Sequence, residues 1–320
     1  MNIKRTLLMV IATIVLLPIL YLIYFFVILA PMSDAKFKQQ LPAIVQQLES
    51  KIEGNGDETI VMIHGYPDTL AMWDAQADYL KQHYTVARFT LPGYGQNDNG
   101  KRPHYNIKQI RMITDAFIKS LHKDKVTVFA HDWGAIYAFH YLEKNSLVDK
   151  LVLFDVGSFG DEPRPKVNMQ YTLALAIAWT LPEFLGEKLT LYTAENILNL
   201  ADVDASKTIN DLRSEPRLTY PYYHLWHSVL TKNLNPSLSI DDYQTPFLFM
   251  YGNDKKVWFH ADSWKNQIIE KNKAEVIAIK GGHWFMQSSA DDVNQQLSQW
   301  LNKEKHASEQ PMTASQALLN

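Results

Sequence analysis

The sequence predicts an α/β fold whose mostly parallel sheet carries helices on both faces. Apolar runs rich in β-branched and aromatic residues have the length of buried strands, and helix-length segments separate most of them. Because strands that alternate with helices form βαβ units, we expect parallel pairing with both sheet faces covered. The runs are Thr59–Ile63, Thr85–Thr90, Val126–Ala130, Leu151–Phe154, Phe247–Tyr251 and Val276–Ile279.

The composition of the chain excludes several classes of function. Its 320 residues are 47% hydrophobic and carry a formal net charge of -3. Nucleic acid is therefore not an expected partner, because its binders usually carry a clustered basic excess. The chain has no Cys, which excludes thiolate metal sites, iron–sulfur clusters and thiol nucleophiles. We expect neither a metal nor an organic cofactor.

The first thirty residues predict a membrane anchor. Lys4 and Arg5 precede an uncharged stretch from Thr6 to Ala30, and as a helix this stretch would be about 37 Å long, enough to span a bilayer. A cleaved signal peptide is the alternative, although its apolar core is usually shorter. Since the basic residues precede the stretch, the predicted anchor leaves the rest of the chain on the non-cytoplasmic side of the membrane.

The remaining sequence divides into a linker, a core, an insertion and a tail. Residues 31–50 predict an amphipathic linker helix, from the helical spacing of their apolar side chains. The predicted strands lie in residues 51–156 and 246–302, which form the core. Residues 157–245 show helical patterns punctuated by prolines and predict a helical cap. The polar, aperiodic residues 303–320 predict a disordered tail.

The strongest chemical motif lies at the end of one predicted strand. The run Val126–Ala130 leads directly into His131-Asp132-Trp133-Gly134, the strand–turn–helix context of a nucleophile elbow. Asp132 stands where such elbows usually carry serine, and a carboxylate there would attack carbon and form an alkyl ester. The plainer interpretation is that Asp132 caps the following helix.

Three further motifs follow predicted strands and complete a hydrolase pattern. The turn His64-Gly65-Tyr66-Pro67 offers the Tyr66 N–H, which together with the Trp133 N–H would bind an oxyanion. His283 follows the last predicted strand and suits a general base, and Asp254 suits the acid that orients it. Each motif alone also fits an ordinary turn or structural side chain, but the order nucleophile, acid, histidine is that of hydrolases with this elbow.

These motifs resemble those of α/β-hydrolases with a cap domain, in the branch that holds epoxide hydrolases and haloalkane dehalogenases. The resemblance covers about Ile52 to Leu301, and the H-G-x-P turn and H-D-W-G elbow are similar to those of epoxide hydrolases in particular. It implies that Asp132 is the nucleophile, that His283 activates water, and that Asp254 is the partner of that histidine.

The resemblance also implies two cap tyrosines that donate protons to the epoxide oxygen. Tyr171 fits the early position in the cap and Tyr223 fits the late one, with Tyr222 directly beside it. A phenol suits this task because its pKa near 10 keeps it protonated at neutral pH. The residues predicted to contact the substrate are His64, Pro67, Tyr222 and Trp179.

The sequence departs from the family pattern at the acid. The loop Gly252-Asn253-Asp254 is one residue shorter than is usual in the family. Asp155, which follows the run Leu151–Phe154, is therefore kept as a reserve acid, because some dehalogenases carry theirs at that place.

The predicted function is hydrolysis of a small lipophilic epoxide to a vicinal diol through an ester on Asp132. A haloalkane dehalogenase with the same nucleophile is the first alternative, and it would need Trp179 or Trp226 as its second halide donor. A catalytically silent, membrane-tethered binding protein of the same fold is the alternative from another class. Esterase activity of the ordinary kind would require Ser at position 132.

Overall fold

A computed structural model describes residues 3–95, 102–142, 147–159, 162–163, 165–197, 215–232, 245–272 and 274–309. Seven strands form one sheet, and the sheet order is β1-β3-β2-β4-β5-β6-β7. Strand β1 pairs antiparallel with β3, and every other pairing is parallel. The strands are β1 (Ser50–Glu53), β2 (Thr59–Ile63), β3 (Thr85–Phe89), β4 (Val126–His131), β5 (Val148–Phe154), β6 (Phe247–Gly252) and β7 (Glu275–Ile279).

Helices lie on both sides of this sheet and in the interval between β5 and β6. They are α1 (Ile3–Ile23), α2 (Asp34–Gln46), α3 (Asp74–Leu80), α4 (Ile107–Ser120), α5 (Trp133–Ala138), α6 (Lys166–Thr180), α7 (Glu183–Tyr192), α8 (Tyr220–Leu230), α9 (Asp262–Asn272), α10 (Phe285–Ser288) and α11 (Ala290–Glu309). The predicted α/β fold with a mostly parallel sheet is confirmed.

The central strands are apolar throughout because the sheet is covered on both faces. All five residues of β2 are buried. Val61 and Ile63 belong to one core cluster, with α4 and the cap, whereas Ile60 and Met62 belong to the cluster formed with α3 and α11. Alternate side chains of one strand thus enter opposite layers, as the pleat requires, and the carboxyl ends of the strands are fixed relative to one another.

The described residues between β5 and β6 form the helices α6, α7 and α8. Helix α6 packs on α8, and the Trp226 indole N–H donates to the Thr172 hydroxyl across this contact at 3.3 Å. This is the interval in which the sequence predicts a helical cap, although its boundaries at residues 157 and 245 stay predictions. The arrangement places the two helices that carry the predicted tyrosines next to each other.

The predicted membrane anchor over residues 1–30 is not supported. Within the described part of the chain, no helix is long and apolar enough to cross a membrane. Residues 21–29, which we call the N-terminal strap, instead pack on the cap: the Tyr21 hydroxyl lies 2.9 Å from the Thr180 hydroxyl. Phe25 is buried against Tyr223, with ring centroids 4.8 Å apart. The strap therefore contributes to the core of the folded protein.

The segment predicted as a linker helix contains the helix α2, which packs on the core, and the predicted tail begins inside the helix α11. Helix α2 docks on the core through Phe37, which is fully buried and contacts the Tyr105 ring edge to face at 6.0 Å. It is thus part of the domain, and the chain leaves it to form the exposed edge strand β1, which the sequence did not predict. Helix α11 continues to Glu309, so residues 303–309 are helical, and the rest of the predicted tail lies outside the described residues.

Candidate active site

Asp132 occupies a strained turn between β4 and α5. Its backbone has φ 53° and ψ −121°, a conformation that non-glycine residues rarely adopt and that concentrates at functional sites. The turn needs small neighbours: a Cβ on Gly65 would lie 2.4 Å from Asp132 Oδ1, and one on Gly134 would lie 2.5 Å from the Ile63 carbonyl oxygen. These features are those of a nucleophile elbow.

The Asp132 carboxylate is buried but held in its ionised form. The Tyr66 N–H donates to Oδ1 at 2.7 Å, and Nε2 of His283 lies 3.6 Å from Oδ2. Burial alone would raise the pKa of Asp132, but the adjacent imidazoles of His283 and His131 and the Tyr66 N–H outweigh burial and lower it. One carboxylate oxygen is therefore bound by a backbone donor while the other faces the histidine.

His283 stands between two carboxylates in the loop after β7. Its Nδ1 donates to Oδ2 of Asp155 at 2.5 Å, while Nε2 faces Asp132. Burial would lower the pKa of His283, but the two carboxylates raise it instead. The resting site therefore favours an imidazolium between two negative charges, and loss of either charge would release the proton more easily.

The structure places Asp155, the reserve acid, and not the predicted Asp254 against His283. Asp155 is fully buried at the end of β5, and besides His283 its carboxylate accepts the Gly252 N–H at 3.1 Å and an ion pair from Lys255. Burial would raise the pKa of Asp155, but Lys255 and His283 hold it well below its ordinary range. Asp254 is exposed, and its backbone N–H donates to Gly281 at 2.9 Å.

Tyr171 and Tyr222 come together above the elbow. Their ring centroids are 5.9 Å apart, and the Tyr222 ring lies 5.4 Å from that of Tyr66 and 5.0 Å from that of Trp133. Burial raises the pKa of Tyr222 well above its ordinary value, and the negative charge of Asp132 adds to that effect. The Tyr222 phenol therefore stays protonated beside Asp132.

Tyr223, the predicted second proton donor, points away from this site. Its hydroxyl donates to the backbone carbonyls of Phe25 at 2.6 Å and Leu29 at 3.0 Å in the N-terminal strap. Consecutive residues of a helix differ by about 100° in direction, so Tyr222 and Tyr223 cannot face the same cavity. Trp179, predicted to contact substrate, stacks on the Tyr223 ring at 4.3 Å and belongs to the same outer cluster.

The His64–Pro67 turn carries the Tyr66 N–H that donates to Asp132. The His64 Nδ1–H donates to the Gly65 carbonyl at 2.8 Å, and Nε2 accepts the Leu91 N–H at 2.7 Å. Because burial lowers the pKa of His64 to about 4, the neutral ring keeps both bonds at physiological pH. Pro67 is buried and follows Tyr66 across a cis peptide bond. His64 thus supports the turn and has no ring nitrogen left for a substrate.

Some residues close to the reacting atoms were not predicted from the sequence. Lys255 contacts Asp155, and the Phe259 ring lies 4.7 Å from that of His283 and 6.2 Å from that of Tyr171. Both belong to the loop that follows β6, and this position just beyond a strand end is the sequence feature that could have identified them as residues of the site. Across the described ranges, no cluster of three or more metal-binding side chains is suited to a metal ion.

Comparison with known proteins agrees with this architecture. A family model for the alpha/beta hydrolase fold matches residues 58–288. Epoxide hydrolase 2 of Caenorhabditis elegans is 24% identical over 79% of this chain and 77% of its own length, and human epoxide hydrolase 4 is 23% identical over 78% and 74%. The crystal structure of an epoxide hydrolase from Vigna radiata superposes with a TM-score of 0.61 at 19% identity, over 81% of this chain and 99% of that one. The chain therefore belongs to the α/β-hydrolase family, as an epoxide hydrolase-like hydrolase.

Proposed function

We propose that this protein opens epoxides to vicinal diols through a covalent ester on Asp132. The observation that carries the proposal is an ionised carboxylate on a strained elbow, 3.6 Å from a histidine that is hydrogen-bonded to a second, buried carboxylate. The protonated Tyr222 phenol lies beside the same carboxylate, and the Tyr171 ring packs against the Tyr222 ring. The similarity to epoxide hydrolases supports the choice of substrate class.

The first step is ring opening by Asp132. Oδ1 is held by the Tyr66 N–H, so Oδ2 is the oxygen that attacks the epoxide carbon as the carbon–oxygen bond of the ring breaks. Tyr171 and Tyr222 donate hydrogen bonds to the oxygen that becomes an alkoxide, where preorganised donors are most effective. The alkoxide then takes up one proton, and His283 loses one proton, so the net charge of the site is unchanged by this step.

The second step is hydrolysis of the ester. Once Asp132 is esterified its negative charge is gone, so one of the two carboxylates that raise the pKa of His283 no longer acts. The neutral imidazole takes a proton from water, and the resulting hydroxide adds to the ester carbonyl. The oxyanion forms at Oδ1, to which the Tyr66 N–H donates, with the Trp133 N–H as the proposed second donor. Its collapse breaks the bond between Cγ and Oδ2, and the departing alkoxide takes the proton of the added hydroxyl group. The diol leaves with Oδ2, and the site returns to an Asp132 carboxylate beside a protonated His283.

Aromatic side chains around the reacting atoms support a lipophilic substrate. The rings of Tyr66, Trp133, Tyr171, Tyr222 and Phe259 pack against one another or against His283 around the carboxylate. Polar groups in this region converge on the carboxylate and its partners. An apolar epoxide would bury its substituents against these rings, as small-molecule sites commonly do.

The haloalkane dehalogenase alternative is less well supported. A halide must be held by N–H donors, yet the Trp133 side chain hydrogen-bonds to Tyr222, and Trp179 lies in the outer cluster with Tyr223. Two donors directed at a departing halide are therefore not provided by these tryptophans. A phenol pair above the carboxylate fits an alkoxide, which needs a proton, better than a halide, which does not.

The test is a product assay with isotope labelling. Purified protein is incubated with styrene oxide, a long-chain fatty epoxide and a set of alkyl chlorides and bromides, and diol and free halide are measured, with Asp132→Ala as the control. In a single turnover in ¹⁸O-water, the first diol should contain unlabelled oxygen from Asp132. Halide release without diol would establish the dehalogenase, and no product from any compound would support a silent binding protein.

A further inference from the structure

A buried lysine contacts the carboxylate that orients His283. The Lys255 side chain is 7% exposed and Asp155 is 0% exposed, and their ammonium and Oδ1 atoms form an ion pair. The same carboxylate binds His283 Nδ1 through Oδ2 at 2.5 Å. A single planar group thus connects a fixed cation to the histidine, and none of the steps proposed above uses that cation.

The loop after β6 is built around this ammonium. Lys255 Nζ lies 4.9 Å from the centroid of the Trp258 ring and 5.7 Å from that of Phe259, where the negative faces of the rings attract a cation. Phe259 in turn packs on the His283 ring at 4.7 Å. The lysine is therefore held on one side by rings and on the other by Asp155, and its position is specified rather than incidental.

The charge of Lys255 acts on His283 through Asp155. A unit charge several ångströms away in a protein interior changes the proton affinity of a group by an amount that is readily measured. The cation both offsets the negative charge of Asp155 and repels the imidazolium. Removing it would make the Asp155–His283 pair bind its shared proton more tightly, whichever of the two groups is considered to carry it.

Other charged and titratable groups surround Lys255, Asp155 and His283, and a substitution of Lys255 leaves them unchanged. The His131 ring packs at a tilt against the His283 ring with centroids 4.4 Å apart, and Asp132 faces Nε2 of His283. The His260 Nδ1–H donates to the Asp155 carbonyl at 3.1 Å, and Lys265, which pairs with Asp262 at 2.7 Å, lies near Lys255. Burial lowers the pKa of Lys255, whereas Asp155 raises it.

We propose that Lys255 is a positioning residue of this site, whose ammonium holds Asp155 in place and offsets its charge so that His283 gives up its proton at lower pH. Its consequence for turnover rests on the proposed function, because only ester hydrolysis requires the neutral imidazole. The effect of the Lys255 charge on the proton affinity of His283 is a property of the folded protein and can be measured without substrate.

The experiment is an NMR titration of His283 in the full chain labelled with ¹⁵N-histidine. The chain has 11 histidines, and the His283 signals are identified by their loss in His283→Gln. In Lys255→Met the titration midpoint of His283 should rise by about one pH unit. Lys255→Arg should keep the wild-type midpoint, and Lys256→Met, which changes an exposed neighbour, is the matched control.

A folded Lys255→Met protein with the wild-type midpoint would overturn the proposal, as would an equal rise in Lys256→Met. Should Lys255→Met fail to fold, Lys255→Gln keeps a hydrogen-bond donor to Asp155 without the charge and is expected to show the same upward shift. A wild-type midpoint in Lys255→Gln would then refute the electrostatic role.

The kinetic arm separates this inference from the proposed function. With an epoxide that is turned over, ester formation in Lys255→Met should keep its rate, while ester hydrolysis below neutral pH should slow by about tenfold. Absence of any ester in the wild-type protein would contradict the proposed function and leave the NMR result standing. An ester whose decay has the same pH profile in both proteins would contradict the role of Lys255 in turnover.

Discussion

Replacing Asp155 with Asn removes the charge that orients His283 while leaving the shape of the side chain. The carboxylate accepts from three donors, His283 Nδ1, the Gly252 N–H and Lys255, whereas an amide offers one oxygen and one NH₂ group. If the amide oxygen faces Lys255, its NH₂ group faces Nδ1, which must then become the acceptor. The Nε2 atom beside Asp132 would carry the hydrogen and could not take a proton from water.

The size of the effect follows from these contacts. Loss of the correct tautomer slows general-base steps by about 10³- to 10⁴-fold in comparable acid–histidine pairs, and we expect this for ester hydrolysis in Asp155→Asn. The Lys255 ammonium would also be left buried without a counter-charge, which costs about 3–5 kcal/mol of folding free energy. Ester formation should slow far less, because Asp132 itself is unchanged.

Rapid-quench mass spectrometry resolves the two steps. A single turnover is started with an epoxide substrate, and the fraction of protein carrying the ester is followed with time. Asp155→Asn should accumulate ester that decays slowly, and Asp254→Asn, an exposed carboxylate of the same type, should match the wild-type protein within about twofold. Slow decay in Asp254→Asn with normal decay in Asp155→Asn would refute the assignment of the acid.

Further predictions concern the cap, the pH dependence of stability and the elbow. Tyr222→Phe should slow ester formation by about 10²-fold. Tyr223→Phe should lower the free energy of unfolding by about 1–3 kcal/mol and leave the rate of ester formation unchanged. Stopped-flow kinetics and urea unfolding measure the two effects, and equal kinetic defects in both variants would contradict the geometry. The pKa of His283 is raised in the folded protein, so the stability that its charge contributes is fully present below pH ~6.5 and is lost as pH rises through the folded pKa. The difference in Tm between wild type and His283→Gln should therefore shrink from pH 6 to pH 9. Growth of that difference would contradict the assigned charge. Gly65→Ala would place a Cβ 2.4 Å from Asp132 Oδ1 and should reduce activity by about 10²-fold or more, and a fully active variant would contradict the close approach at this turn.

The sheet was predictable because strands buried on both faces are continuous apolar runs in the sequence. Strands such as β2 and β4 are continuous apolar runs, since neither face meets water. Strand β1 is not an apolar run: it is short, largely exposed and contains Lys51 and Glu53. The local sequence therefore could not distinguish it from a loop. Its pairing with β3 comes from tertiary structure alone.

The positions of Asp132 and His283 at strand ends were predictable, but the carboxylate that binds His283 required three-dimensional information. Asp132 and His283 follow strands in motifs with few alternatives. Asp155 and Asp254 both follow strands whose carboxyl ends are adjacent in the sheet, and the sequence does not say which loop reaches the imidazole. Positive φ at Asp155, 66°, turns its side chain toward His283, and no sequence pattern reports that torsion.

The choice between Tyr222 and Tyr223 depended on the rotational phase of one helix. The motif placed both residues in the cap, yet only the packing of α8 against α6 fixes which one faces Asp132. Contacts of the N-terminal strap were equally hidden, because a strongly apolar segment suits a membrane and a protein core alike. Buried Phe25 and the carbonyl groups bound by Tyr223 are long-range contacts that local pattern cannot supply.

The covalent ester on Asp132 is most directly tested by trapping it. His283→Gln removes the base for hydrolysis but keeps the nucleophile and the Tyr66 N–H beside it, so incubation with a reactive epoxide should leave protein whose intact mass has risen by that of the whole epoxide. Peptide mapping should locate the added mass on Asp132, and Asp132→Ala/His283→Gln should show none. Diol formation by wild-type protein with no ester in His283→Gln, or with the added mass on another residue, would contradict the mechanism.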